Sequence, residues 1–505
     1  MTNHLVAVAP RASRRVPLRD AGFRAGRVSA GNRVDAVHRG RPQHPARSLT
    51  SEQVSADAAD LRAGIGELAG LVAGSLGLPE SLAEVSTFAV HAIPGAGVTL
   101  LRLDRADNIV EVPRSLLIRV QILWWPVPSR PILGKRRRAT MPKHWLVMEG
   151  EGLPAPFRAR LAGAGRHLPA TVLTTDELMA TTRHNTHIDL ERLTGIHERR
   201  VSIGDDDSYS LATSAALDCL DKAQQRAASL DVVISCSITK FRGGLTQWLE
   251  PTMSSAVARA IGAEKAVTFD LSNACAGMLT GVTVLNNWIR QGAVERGLVV
   301  SGEYISQLGQ NAASHIRNIM SKELACLTLG DAGAALLLER ATSGSGGISL
   351  AGFTTVADYS RLCLAYPKGH DPGARMFTNS RGIQRAAIAD TPLLLHEVLE
   401  AAGIAMHDID HVITHQTSAR AIRKGMAAVS ASLGDSPRHD AVITVDRYGN
   451  TASTTHTVAL VEELEAGRIL PGETIALIAL ASGLEIGVVL LTVDKDLVGR
   501  YGHSD

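Results

Sequence analysis

The feature that most constrains this chain is a texture that occurs twice between about Arg158 and Asp494: short β-branched runs alternate with helically spaced segments and small-residue turns. Strands joined by crossover helices are covered on both faces, so the alternation predicts an α/β core. In the first half DVVISCSI (231–238) precedes a helix, TFDLSNACAGM enters another, GLVVSGE (297–303) is a strand, and CLTLGDAGAALLLE (326–339) reads as two strands around a glycine turn. The second half repeats the order with HVITHQ (411–416), a helix, the YGNTAST entry to a helix, and TIALIALASGLEIGVVLLTV (474–493) as a closing strand pair. SGSGG (343–347) is the turn-rich connection between them. Two similar halves imply a site at their junction, fed by loops from both.

Other segments have a different composition. The first 48 residues carry ten arginines against two acids, Asp20 and Asp35, without an apolar stretch, so residues 1–50 read as a disordered basic leader and not as a secretory signal. From 51 to 112, helical spacing in LRAGIGELAGLVAGSLGL is followed by SLAEVSTFAVHAI and the strand-like GVTLLRL. This segment resembles the first half of a GAF domain, and half of such a sheet predicts an appendage with no ligand site. Residues 113–156, with WWPVP, KRRR and PKHW, read as a linker whose cations are solvated. The duplicated halves then occupy 157–342 and 343–494, with a tail at 495–505.

The chain has 505 residues, enough for about three domains at roughly 150 residues each. Its 52 basic and 50 acidic side chains nearly cancel, which argues against a nucleic-acid binder. Leu116 to Leu133 is the most apolar run, and Arg119, Arg130 and three prolines break it, so no membrane span is expected. Five cysteines without a CxxC pair argue against a disulfide framework or zinc ribbon and suit a reducing, cytoplasmic compartment. His184 and His187 lack a completing ligand set, and HExxH is missing, so no metal is expected.

Chemistry is concentrated at strand-to-helix turns. Cys275, in DLSNACAGMLTGV, sits at the first turn of a helix whose apolar positions Leu279, Val282, Leu285 and Ile289 recur at helical spacing. The positive helix end and free N–H groups favour thiolate there, and Ala274, Ala276 and Gly277 leave room for a bulky thioester. Taken alone, the residue reads rather as a buried structural thiol, because cysteine is among the most buried residue types. Cys219, Cys236, Cys326 and Cys363 lie at no glycine-rich helix entry and are expected to be structural. His415 ends a strand and begins HQTSARAI, and by itself could be a satisfied polar corner. Asn450, in DRYGNTAST, could be an ordinary cap or Asx turn.

Together these segments are specific. RLTGIHERR (192–200), DLSNACAGM (270–278), GDAGAALLLE (330–339), THQTSAR (414–420), YGNTAST (448–454), GRILPGE (467–473) and ASGLEIG (481–487) make residues 157–494 resemble a β-ketoacyl synthase III of the thiolase superfamily. The resemblance implies a five-layer αβαβα fold of two duplicated halves, a homodimer, and no cofactor. By position it makes Cys275 the acyl-accepting nucleophile, with His415 and Asn450 serving condensation and the backbone N–H groups of Cys275 and Ser482 forming an oxyanion hole. It further implies an acyl-CoA or acyl-carrier-protein primer, a malonyl-acyl carrier protein as second substrate, and a decarboxylative Claisen condensation. Arg420, Arg423 and Lys424, at i, i+3 and i+4, would dock the acidic carrier protein or form a solvated face.

Residue types separate other branches. No cysteine follows Cys363, as a degradative thiolase would need, Asn450 replaces the second histidine of elongating synthases, and ASGLEIG replaces the GFGPG loop of plant-type polyketide synthases. Several positions depart from the pattern. Ala481-Ser482-Gly483 stands where GGG is common, Asp189 and Leu193 replace the aromatic and arginine that grip CoA adenine, and Met278 replaces phenylalanine. Thr194, Gly195 and Met278 remain as substrate-binding candidates, and Asn273 replaces a small apolar residue. SNACAGM also resembles the head-to-head condensing enzymes of olefin synthesis, which leaves an acyltransferase or non-decarboxylative condensing enzyme as the alternative. A GAF-based ligand sensor with a regulatory synthase part is a third reading.

Overall fold

In the computed structural model the described residues are 157–184, 187–341, 346–367 and 373–502, with the backbone of three short strands before them. The leader, most of the GAF-like segment, the KRRR cluster, most of SGSGG and the last three residues lie outside the described residues. The chain divides into two units, 1–137 and 138–505. In the first, strands β1 (Phe88–His91) and β2 (Thr99–Arg102) form an antiparallel hairpin. In the second, the first strand is β3 (Trp145–Met148), which falls inside the expected linker.

Strand β4 (Ala159–His167) opens the duplicated region, and β5 (Val172–Thr174) pairs with β6 (Glu198–Arg200) as a small ribbon. With β7 (Val232–Ser235), β8 (Val267–Asp270), β9 (Arg296–Glu303) and β10 (Ala332–Arg340), β4 builds a five-stranded sheet in the order β4-β10-β9-β7-β8. The second half supplies β11 (Gly347–Thr355), a ribbon of β12 (Cys363–Pro367) and β13 (Ala374–Thr378), then β14 (His411–Thr414), β15 (Thr474–Ala481) and β16 (Glu485–Thr492). Its sheet runs β14-β15-β16-β11-β3. The parallel pairs β7–β9 and β14–β15 correspond between the halves, as do the antiparallel pairs β9–β10 and β15–β16. β3 has no counterpart in the first sheet; it covers the edge of β11 in antiparallel register.

Both sheets are buried on both faces. Along β10, Ala334, Leu336 and Leu338 enter the cluster between the sheets, while Ala335 and Leu337 enter the cluster under the outer helices, the period-2 alternation of a strand covered twice. Helices Gly277–Arg290 and Thr455–Glu465 fill the central layer. Ser208–Lys222 and Met253–Ile261 cover the first sheet outside, and Ser380–Ala402 covers the second. That is the five-layer architecture. Ser208–Lys222 lies against paired glycines: a Cβ on Gly302 would stand 2.0 Å from the Ser208 carbonyl oxygen, and one on Gly333 2.0 Å from that of Leu211.

One local expectation fails. CLTLGDAGAALLLE contains a 3-10 turn, Leu324–Thr328, and one strand, not two. The Asp331 carboxylate accepts the N–H groups of Ser202, Ile305 and Ser306 and the Ser306 hydroxyl, so Gly330-Asp331 is tied to neighbouring loops and cannot close a hairpin.

Candidate active site

Three turns converge where the halves meet. Strand β8 ends at Asp270, which accepts from Lys240 and from the N–H groups of Met253 and Ser254. The chain then enters the 3-10 turn Ala274–Ala276, with Ala274 at φ 44°, and continues as Gly277–Arg290. Leu279, Val282, Leu285 and Ile289 are all buried, as their spacing requires. Asn273 helps hold the turn: its amide donates to Thr280 Oγ1 at 2.9 Å, and it also bonds Glu485 of β16.

The Cys275 turn packs on β15 and on the segment Ala452–Thr454 that directly follows Asn450. At the end of β15, Ser482 lies in the half-buried turn to β16. Asn450 is fixed through its backbone, donating to Thr328 O at 2.7 Å and accepting from Gly330 N at 3.1 Å. Its Oδ1 accepts from Ala452 N, so the Asx turn exists and leaves the amide Nδ2 as the free donor. His415 follows β14, is 4% exposed, and donates its backbone N–H to Ile478 O of β15. The adjacent Gln416 is the satisfied corner: its amide donates to Thr414 O and Val442 O and accepts from Thr444 N and Val445 N, stitching the His415 turn to the approach to Asn450.

The electrostatics differ from the sequence reading at Cys275. The thiol is half-buried, and burial, then the neighbouring Glu303 carboxylate, then Cys363 push it well above the ordinary thiol range. Desolvation therefore outweighs the helix end, whose field is confined to the first turn. His415 is pushed the other way, down to about 3, by burial and by the His456 imidazole. Burial thus favours the neutral form of each side chain.

Sequence reasoning missed Glu303 and His456. Glu303, at the end of β9, is fully buried and accepts from Ile238 N, Thr239 N, Thr239 Oγ1 and, through a short contact, Ser453 Oγ. It joins the Asn450 turn to the first sheet. A charged residue closing an apolar strand, as in GLVVSGE, was the available signal.

The remaining candidates belong to elements around this convergence. Thr194 Oγ1 donates to Leu190 O and accepts from Ile196 N, so the hydroxyl serves its own helix end. Gly195, at φ 74°, caps that helix, and a Cβ there would stand 2.9 Å from Ala419 Cβ. Met278 is 1% exposed in the central layer, its sulfur accepting from Thr457 Oγ1 at 3.7 Å. Arg420, Arg423 and Lys424 are exposed on Ala419–Leu433, with Arg420 donating to Arg192 O. Among the described residues no cluster of His, Cys, Asp and Glu could hold a metal, all five cysteines are free thiols, and no helix is long and apolar enough to cross a membrane.

The duplicated five-layer fold, with a cysteine at the central helix entry of one half and histidine and asparagine turns from the other, defines a thiolase-like condensing enzyme. Models of the 3-oxoacyl-[acyl-carrier-protein] synthase III family match residues 269–358, and of its C-terminal domain residues 399–493. The β-ketoacyl-[acyl-carrier-protein] synthase III of Erythrobacter litoralis is 27% identical over 339 residues, covering 66% of this chain and 99% of its own length. That of Paramagnetospirillum magneticum is 28% identical over 341 residues, covering 66% and 98%. The crystal structure of the synthase III from Aquifex aeolicus superposes with a TM-score of 0.57 at 25% identity, covering 66% of this chain and 99% of that one. OleA from Xanthomonas campestris shares the fold, with a TM-score of 0.58 at 24% identity over 66% of this chain and 98% of that one. Over these residues the chain is similar to the β-ketoacyl-[acyl-carrier-protein] synthase III family, and it is an acyltransferase-type condensing enzyme.

Proposed function

We propose that residues 157–494 catalyse the decarboxylative Claisen condensation of an acyl primer with malonyl-acyl carrier protein through an acyl-Cys275 intermediate. The observation that carries this reading is the meeting of the Cys275 turn, the end of β15 and the segment after Asn450 at the junction of the halves. Attack of Cys275 Sγ on the primer thioester forms the new S–C bond and places negative charge on the carbonyl oxygen; collapse then breaks the primer's own C–S bond, and the proton given up by Cys275 leaves with the carrier thiol. The N–H groups of Cys275 and Ser482 are the donors suited to that oxygen, and losing one such donor typically costs about 10²–10³ in rate.

In the second step the malonyl C–C bond breaks, CO2 leaves, and the electron pair forms an enolate whose carbon attacks the acyl-Cys275 carbonyl; the Cys275 S–C bond then breaks, the 3-oxoacyl-carrier thioester departs, and the Cys275 thiolate takes a proton from water. Forming the enolate needs donors to the thioester oxygen and no base, which suits a neutral His415 N–H and the Asn450 Nδ2 amide. A non-decarboxylating condensation would need a base to remove a carbon-bound proton. Among the described residues the carboxylate acting electrostatically on Cys275 is Glu303, and both its oxygens are already engaged by buried donors.

Incubation with acyl-CoA or acyl-carrier-protein primers should give an adduct on Cys275 by mass spectrometry, absent in Cys275→Ala, and malonyl-acyl carrier protein should then release CO2. An adduct without CO2 would favour the acyltransferase alternative. No adduct with any primer would refute both.

A further inference from the structure

The imidazole of His456 has no role in the reaction so far. It is the second residue of Thr455–Glu465, is 1% exposed, and stacks on His415 with ring centroids 6.0 Å apart at 30°. Its Nε2 lies 3.0 Å from the carbonyl oxygen of Ile478. A carbonyl only accepts, so this nitrogen carries the hydrogen and the tautomer is set. The same oxygen accepts the backbone N–H of His415 at 2.9 Å. One carbonyl of β15 therefore anchors both histidines, one by its main chain and the other by its ring. The Nδ1 atoms of both rings are buried without a hydrogen-bond partner, and the His456 ring stacks against that of His415.

Cys275 and Glu303 belong to elements of the first half. At the far end of the His456 helix Glu462, Glu463 and Glu465 pair with Arg447, Arg468 and Arg166, and at the start of β14 His411 pairs with Glu473. Beside burial, the neighbouring imidazole is the influence acting on His415.

We propose that His456 is a positioning residue of the active site: its ring, pinned to the Ile478 carbonyl, fixes the orientation of His415 and opposes a second charge beside it. This rests on His415 being a donor in the condensation proposed above. A loosened His415 ring misplaces its N–H relative to the enolate oxygen, and a displacement of about 1 Å can cost about 10²-fold in rate.

The test uses the full chain with His456→Phe, which keeps a ring without the anchor, and His456→Gln, which keeps a donor to Ile478 O. Each variant is first acylated and weighed, then given malonyl-acyl carrier protein. The expected result is a normal Cys275 adduct in both, with CO2 release about tenfold or more slower in His456→Phe, little change in KM, and partial recovery in His456→Gln. Nitrogen NMR of His415 should show its titration moving to higher pH in His456→Phe. Unchanged CO2 release and an unmoved His415 titration in variants that acylate normally would overturn the proposal and leave His456 as core filling. A wild-type protein that forms no Cys275 adduct would instead refute the reaction on which it rests, and the proposal with it.

Discussion

At Cys275 two effects of opposite sign meet, and their sizes decide the resting state. A helix end contributes at most about 1–2 kcal/mol, whereas removing a thiolate from water can raise a pKa by several units. The turn is wedged between β15 and the Asn450 segment, and Glu303 adds a like charge, so desolvation prevails. Alkylation of Cys275 by iodoacetamide should therefore rise only above the ordinary thiol value of about 8.5. Glu303→Gln should move that rise to lower pH, and an apparent value below 7 in the wild type would show the helix end prevailing. The histidines give a second pH dependence. His415 and His456 are held near about 3 and about 4, below the value of about 6.5 expected unfolded. A depressed folded value means that the unfolded chain binds the protons first, so stability is full above pH 6.5 and falls as pH drops toward 4 and 3. Thermal melts should lose ground through that window, and His456→Phe should lessen the slope; an unchanged slope would exclude His456 as a contributor.

At the scale of elements, β3 links the region upstream of the duplicated fold to that fold. Ala351 to Thr354 of β11 pair with Met148 to Trp145, so this edge is covered by residues that composition assigned to a linker. Truncation after residue 137 leaves β3 in place, whereas truncation after 156 exposes the edge. The shorter protein should melt lower by a few degrees, since about 1 kcal/mol corresponds to about 1–2 °C at this size, and should aggregate more readily. Equal melting of the two would show that β3 adds nothing. If the 138–505 protein keeps full condensation activity, a ligand-sensing control by the first unit is excluded.

Legibility followed the same physical divide. Strands β7, β9, β14, β15 and β16 and the central helices were readable because burial on both faces writes continuous apolar runs and a clean helical period. β3 was not, since a four-residue edge strand among prolines and cations carries too little pattern. The second strand expected before Gly330 failed because a buried carboxylate, Asp331, set the turn from a distance in sequence. Cys275, His415 and Asn450 stood out through the order of their motifs and the resemblance that order carries, while Glu303 and His456 acquire meaning only from what the fold brings beside them.

For the whole molecule, charge balance near zero means that recognition of an acidic carrier has to be local. Arg423 and Lys424 stand exposed on Ala419–Leu433, the helix that begins four residues after His415, so a partner held there is close to the proposed site. Arg420 already donates to Arg192 O, which gives it a structural task on this face and makes it the poorer probe. If the ridge docks a carrier protein, the double change Arg423→Glu and Lys424→Glu should raise KM for malonyl-acyl carrier protein about tenfold or more at low salt while leaving turnover of malonyl-CoA unchanged. Raising ionic strength should shrink the difference, because exposed charges are screened beyond about 8–10 Å. Equal kinetics with the carrier-borne substrate would make the ridge a solvated face, whereas equal losses with both substrates would point to damage at the His415 turn.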